Sequence, residues 1–279
     1  MGVTIRAWRQ LDPRRGTELT DARLQLHHAA QLATALGISY LPAQPDDSHT
    51  NLEWIETIGA LASKPAGSPP MRLAVRPHPL ALLVLDVGHT VLSAYSLDGR
   101  TINDSARWVR GQLAELGLDA TRYTLARHYE IPPHPVDTGA SFDAEPPAFF
   151  EELASWYSDA ASTLEQFPSV TPNASPVRCW PHHFDIATLL QVAPGKTISL
   201  GMEPGDEYWP EPYFYASMSP SPNAAAARGE LGGNGLWHTR DWIGAALPAS
   251  RLATTNQPAQ VEEFIHTAVR ESMRILLGR

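Results

Sequence analysis

The chain has 279 residues, is 43% hydrophobic and carries a formal net charge of −9, with a pI of about 5.6. That is enough apolar content for a sizeable core, while the scattered Lys and Arg give no basic stripe, which excludes nucleic acid as an expected partner. The single cysteine, Cys179, rules out an intrachain disulfide and a multi-cysteine zinc site and reads as a structural thiol among apolar neighbours.

The opening MGVTIRAWRQ has no apolar signal core, and Arg6 breaks the myristoylation pattern. Periodicity predicts a first helix at Thr20–Leu36, with Thr20 as N-cap, Asp21 in the first turn and Gly37 just past the end. Strand formers follow at Asn51–Leu61, Met71–Arg76, Leu80–Asp86 and Thr90–Ser96. The longest aliphatic run, Leu80–Leu85, is far too short to span a bilayer, so no membrane association and a cytoplasmic location are expected. A second helix at Asn103–Leu116, a strand at Tyr123–Glu130 and a third helix at Pro146–Phe167 come next. Strands are then predicted at Arg178–Val192, Lys196–Glu203, Pro212–Ser217 and Trp237–Leu247, before a last helix at Pro258–Leu277. Ala193–Lys196, Leu97–Arg100 and Ser68–Pro70 supply turn signals. The fold class is α+β with mostly antiparallel sheets.

HTNLEWI from His49 aligns without gaps on HFDIATL from His183, pairing Asn51 with Asp185, Leu52 with Ile186 and Ile55 with Leu189. Each match is followed by strands and then an amphipathic helix. The expected architecture is therefore two related, helix-capped, β-rich halves, about 49–117 and 177–277, joined by a strand-helix connection at 121–168. With no flexible linker between them, residues 1–279 are expected to pack as a single compact unit.

The segments LQLHHAAQ, SHTNLEW, PHHFD, GMEPGDEYWPEPYFY and LWHTRDWIGAALP together resemble a family of bacterial proteins described only as a domain of unknown function. The resemblance runs over most of the chain and implies a bacterial, cytoplasmic protein. It brings no activity, cofactor or catalytic residue. Family members tend to carry an aromatic residue and one histidine before the F-D pair, where this chain has His182 and His183, and which of the two is equivalent stays open.

CWPHHFDIATLL, read as a strand from His182 onward, puts His183, Asp185, Ala187 and Leu189 on one face and His182, Phe184, Ile186 and Leu190 on the other. A hairpin closing symmetrically through Pro194 and Gly195 sets His183 across from Asp206 and Ala187 across from Met202, and a one-residue bulge exchanges Asp206 for Glu207. A carboxylate there can hold the imidazole in one tautomer, so His183 and Asp185 are the candidate acid–base residues. With Asp206, Glu207 and His49 they also offer mixed nitrogen and oxygen ligands to a divalent metal. The plainer alternative is that His183 and Asp185 only cap the strand.

The loop EPGDEYWPEPYFY interleaves Glu203, Asp206, Glu207 and Glu211 with Tyr208, Trp209, Tyr213, Phe214 and Tyr215. It reads either as a ligand rim or as a proline-stiffened exposed loop. Ligand contacts are assigned to Trp180, Tyr208, Trp209, Tyr213 and His238, the last beside Trp237 and Trp242. Of His27 and His28 on the first helix, one is expected to face the core. Pro220–Asn234, small and glycine-rich, reads as an exposed loop or a lid, with a disordered excursion as the plainer alternative. No GxGxxG followed by an acid, P-loop, GxSxG or HExxH occurs. Three functions are consistent with this pattern: a small-molecule-binding protein with a His/carboxylate-lined site, a metal-dependent hydrolase, or an interaction scaffold exploiting the eight tryptophans.

Overall fold

The computed structural model describes residues 8–167 and 173–278, and no described helix is long and apolar enough to cross a membrane. The chain divides into two compact units. An N-terminal unit takes Asp21–Ala154 together with Arg178–Phe184, and a C-terminal unit takes the segment up to Thr20, Ser155–Val177 and the chain from Asp185 onward. The fold is α+β, with antiparallel sheets.

Helix α1 (Thr20–Tyr40), which lies in the N-terminal unit from Asp21 onward, follows a 3-10 turn at Gly16–Leu19. Thr20 therefore already has helical dihedrals, and its hydroxyl donates to the Thr17 carbonyl instead of capping. The helix also runs past Gly37. A β-carbon there would sit 2.2 Å from the His49 carbonyl oxygen, so this glycine serves close approach rather than termination. Nearly every side chain from Ala22 to Gly37 is buried, including both His27 and His28 where only one was expected to face inward. A helix buried all round has no polar stripe to turn outward.

Strands β1 (Glu53–Ile55), β2 (Ala60–Ala62), β3 (Met71–Arg76), β4 (Ala81–Asp86) and β5 (Val91–Ser96) form an antiparallel meander in chain order. The single strand expected at Asn51–Leu61 is thus a hairpin, turned at Gly59, which adopts φ +61°. Ile55, Ala60, Ala62, Ala74, Leu83 and Leu85 make a buried cluster on this sheet. Arg72, also buried, ties β3 to β1 by donating to Glu53 at 2.6 Å and to the Ser63 carbonyl at 2.6 Å. Helix α2 (Ile102–Glu115) starts at a capping box, in which Thr101 accepts from the Asp104 N–H and Asp104 accepts from the Thr101 N–H. Its inward stripe is Ala106, Val109 and Leu113.

Tyr123–Glu130 is not a strand, and its two tyrosine hydroxyls bond to α1. Tyr123 donates to the Leu32 carbonyl (2.7 Å), and Tyr129 donates to Gln31 Oε1 (2.9 Å). Nor is Arg178–Val192 one strand. β6 (Arg178–Trp180) ends after Cys179 has exchanged two backbone hydrogen bonds with Leu52, and Pro181–Phe184 form a turn closed by the Phe184 N–H on the Trp180 carbonyl at 2.7 Å. Phe184 adopts φ +74°, a left-handed conformation that costs an aromatic residue roughly 1–2 kcal/mol. Its ring is 1% exposed and stacks on His27 at 4.7 Å. His27 Nε2 and Gln31 Nε2 both donate to the Pro181 carbonyl, at 2.8 and 2.9 Å. A carbonyl only accepts, so the Nε2 of His27 carries the hydrogen.

In the C-terminal unit, strands β7 (Asp185–Ala193), β8 (Lys196–Glu203), β9 (Tyr213–Ser219), β10 (Leu236–His238) and β11 (Gly244–Pro248) lie in the order β10-β11-β9-β8-β7. Trp237–Leu247 is therefore a hairpin rather than one strand. Ile186, Leu190, Ile198, Leu200, Met202, Phe214, Ala216, Ala245 and Leu247 alternate onto one buried apolar face. Trp156 of α3 (Pro147–Leu164) meets Phe214 there at 5.8 Å between rings. Helix α4 (Gln257–Leu277) packs on β8, β9 and β11, starting at Pro258 and ending at Gly278 in the left-handed region. The glycine-rich segment is pinned to α4. Gly232 N–H donates to Thr267, Gln260 donates to the Gly233 carbonyl, and a β-carbon on Gly233 would lie 2.2 Å from the Gln260 carbonyl oxygen. It is a largely exposed loop held on α4 at its glycine-rich end.

The stretches HTNLEWI and HFDIATL both begin in a turn and enter the first strand of a meander that leads on to a helix. They differ in that β1 has three residues and β7 nine, and in that the second meander reverses its last two strands.

Two outcomes are expected from the turn Pro181–Phe184. Phe184→Ala should lower stability in urea unfolding by about 3–5 kcal/mol, whereas exposed His183→Ala should stay within about 0.5 kcal/mol. The second concerns pH. Burial lowers the His27 pKa from 6.5 to about 3, so below pH 6.5 the unfolded chain binds a proton that the folded chain refuses. His27's contribution is complete above that pH and is lost as pH falls towards 3, at roughly 1.4 kcal/mol per unit. His182, lowered to about 4 by burial and then by His183, adds in the same direction. Stability measured at pH 5 and at pH 7.5 should differ less in His27→Gln than in the wild type.

Candidate functional site

The face of the C-terminal sheet opposite the apolar one is polar, and its composition follows from register. β7 pairs with β8 as Ile186–Met202, Ala187–Gly201 and Leu189–Ser199, one residue away from the symmetric hairpin, because the ladder shifts between Gln191 and Ala193. The bulge falls on β7. β8 pairs with β9 as Glu203–Tyr213, Gly201–Tyr215 and Ser199–Ser217. β9 pairs with β11 as Tyr215–Ala246 and Ser217–Gly244, and Gly244 pairs with His238 of β10. Alternation then gathers Asp185, Glu203, Tyr213, Tyr215, Ser199, Ser217 and His238 on one face. Asp185, Glu203 and Tyr213 are buried, and Ser199, Ser217 and His238 are half-buried.

Tyr215 is the centre of this face. Its ring lies over Gly201, where a β-carbon would come within 2.6 Å of three of its atoms. Its hydroxyl donates to Asp185 and lies 3.3 Å from the Ser199 hydroxyl. Burial and then the Asp185 carboxylate raise the Tyr215 pKa well above that of a free phenol, so the phenol keeps its proton and the carboxylate accepts it. Tyr213 behaves alike, raised by burial and then by Glu203, and it donates to Asp206 at 2.5 Å.

Asp206 organises its own loop. Its Oδ1 accepts from the Tyr208 and Trp209 N–H groups at 2.7 and 2.9 Å, while Oδ2 takes the Tyr213 hydroxyl. Glu211 accepts from the Ser250 N–H and hydroxyl at 2.7 and 2.8 Å. Beyond Asp206 the rings of Tyr208, Trp209, His238 and Trp242 gather. Trp209 and His238 are 5.0 Å apart, Tyr208 and His238 5.7 Å, His238 and Trp242 4.8 Å, and Trp209 and Trp242 6.2 Å. His238 Nδ1 donates to the Trp242 carbonyl at 2.8 Å, which holds the imidazole in place. Tyr208 is 39% exposed, and the other three rings are half-buried.

Of the residues assigned from sequence, Asp185, Asp206, Glu207, Tyr208, Trp209, Tyr213 and His238 thus belong to the C-terminal unit. His183, His49 and Trp180 belong to the N-terminal one. His183 is exposed in the turn, its ring 4.4 Å from His182. The strand alternation that would have set it beside Asp185 is absent, because the strand begins only at Asp185. Trp180 lies 6.1 Å from His182 ring to ring, and His49 Nδ1 accepts from the Gln44 N–H at 3.2 Å. Among the described residues, no group of three or more His, Cys, Asp and Glu side chains is placed to hold a metal ion. Both Asp206 oxygens are already occupied by hydrogen bonds from Tyr208, Trp209 and Tyr213. Gly201 and Ser199 were missed from sequence. Only a correct β7–β8 register would have put them beside Tyr215.

A double-mutant cycle tests the centre of the site. Tyr215→Phe removes the hydrogen bond to a buried carboxylate and should cost about 1–3 kcal/mol. Gly201→Ala displaces the same ring and should cost at least as much. The double variant should fall short of the sum of the two by about 0.5 kcal/mol or more, read from urea unfolding.

Compared with protein-family models, curated proteins and solved structures, the chain finds no match in any of the three.

Proposed function

We propose that the protein binds a small organic cation on the polar face of its C-terminal sheet. The observation that carries this reading is the partly exposed ring cluster of Tyr208, Trp209, His238 and Trp242 beside carboxylates. Ring faces carry negative potential and attract a cation by about 0.5–1 kcal/mol when exposed and about 2 kcal/mol when desolvated. The acids add to that field. Tyr208 is raised by burial and then by Glu207, with Asp206 and Asp241 contributing in the same sense. An anion brought to the same rings meets repulsion from three carboxylates.

The buried row behind the rings supports binding rather than acid–base catalysis. Asp185 and Asp206 each accept a tyrosine hydroxyl, which holds them in place. A metal-dependent hydrolase has less support, given that no metal-holding group occurs among the described residues.

Titration with tetramethylammonium, followed by tryptophan fluorescence, tests the proposal. The signal should saturate, and Trp209→Ala or Trp242→Ala should weaken the affinity about tenfold. Acetate and glucose should give no saturable change. Equal responses to all three probes, or wild-type affinity in both variants, would remove the proposal.

A further inference from the structure

The N-terminal unit contains a cavity of about 80 Å³ whose lining includes His28, Arg127 and Asp137 together with the apolar Leu32, Ile102 and Leu125. This is room for a ligand of a few heavy atoms. His28 and Arg127 both face Asp137, at distances longer than a hydrogen bond. His28 is 1% exposed, and its Nε2 lies 3.0 Å from the Pro132 carbonyl. A carbonyl only accepts, so Nε2 carries the hydrogen. Burial lowers the imidazole pKa, which keeps the ring neutral and leaves Nδ1 as a lone-pair acceptor. Among the described residues Nδ1 has no hydrogen-bond partner. Asp137 Oδ1, itself an acceptor, lies 3.7 Å from it. Arg127 approaches the same oxygen only to 3.9 Å. Gln31 also lines the cavity, but its amide is engaged by the Pro181 carbonyl and the Tyr129 hydroxyl.

Two acceptors 3.7 Å apart without a donor between them, beside the Arg127 guanidinium, define the complement. It is a molecule with a cationic or hydroxyl donor at one end and an anionic acceptor at the other. We propose that this cavity is a binding site for a small zwitterion of about the size of glycine. The ammonium donates to His28 Nδ1 and Asp137, and the carboxylate accepts from Arg127. A cationic donor suits the charge of Asp137, and a carboxylate suits the planar donor fork of Arg127. Asp137 is 45% exposed and Arg127 21%, so the polar end of the cavity adjoins solvent and gives a route in. Leu32, Ile102 and Leu125 also line the cavity and leave little room for a substituent on the ligand. This site is separate from the ring cluster of the C-terminal unit and does not depend on the reading given to it.

The test is titration of the full chain with ¹³C-glycine, followed by NMR line broadening. Wild type should bind saturably. Asp137→Asn and Arg127→Gln alter partly exposed side chains and should each weaken binding about tenfold or more, with thermal melts confirming that both remain folded. Acetate and methylammonium, each carrying half of the recognition, should bind at least about tenfold more weakly than glycine. Saturating tetramethylammonium should not displace glycine, which separates this site from the one on the sheet. Absence of saturable glycine binding would overturn the proposal. So would wild-type affinity in both variants, equal binding by either half-molecule, or displacement by tetramethylammonium.

Discussion

The phenolic hydroxyl of Tyr215, donating to Asp185 across a strand that carries glycine where the ring must lie, links β9 to β7 over β8. It requires three things at once: a one-residue shift in the β7–β8 ladder, no side chain at Gly201, and a tyrosine that stays protonated. The apolar face enforces the first of these. Ile186, Leu190, Leu200, Met202 and Phe214 must all point towards the core, and a slip of one residue would turn every one of them to the other side. The polar face is thus a consequence of how the apolar face packs, and its carboxylates are placed by the core rather than by the loop that supplies Asp206.

A comparable dependence holds in the N-terminal unit. α1 is buried nearly all round and so presents polar side chains to the interior, where each must find a partner. His27 and Gln31 converge on the Pro181 carbonyl, Gln31 also receives the Tyr129 hydroxyl, and His28 takes the Pro132 carbonyl. These bonds fix two irregular segments that have no ladder of their own. They also explain how Phe184 is held in a left-handed conformation that isolated phenylalanine avoids, since its stacked position on His27 and its burial offset the backbone cost.

The two units therefore use histidine differently. In the N-terminal unit buried histidines act as neutral donors to carbonyls, and their low pKa values follow from that burial. In the C-terminal unit His238 is half-buried among aromatic rings, oriented by the Trp242 carbonyl. The paired histidines of PHHFD belong to neither pattern as a pair: His182 is half-buried near Tyr129 and Trp180, and His183 is exposed.

Local chemistry made much of the fold legible. The four helices lie where their periodicity puts them, because 3.6-residue spacing of apolar residues and local signals such as Pro258 and Gly278 act over a single turn. Met71–Arg76 and Lys196–Glu203 are strands over the predicted residues, and the acidic-aromatic loop does gather Asp206, Tyr208, Trp209 and Tyr213 beside His238. What tertiary structure alone decided is everything that hangs on a non-local partner. Tyr123–Glu130 has strand composition, but its side chains bond to α1. Pro181–Phe184 turns because His27 and Gln31, some 150 residues away in sequence, hold its carbonyl. The Asp185–Tyr215 bond depends on a bulge that no composition announces, and the cavity at His28 draws Arg127 and Asp137 from a loop about a hundred residues further along the chain. Propensity and periodicity are properties of neighbours in sequence, whereas register, burial and charge pairing are set by which segments the core brings together.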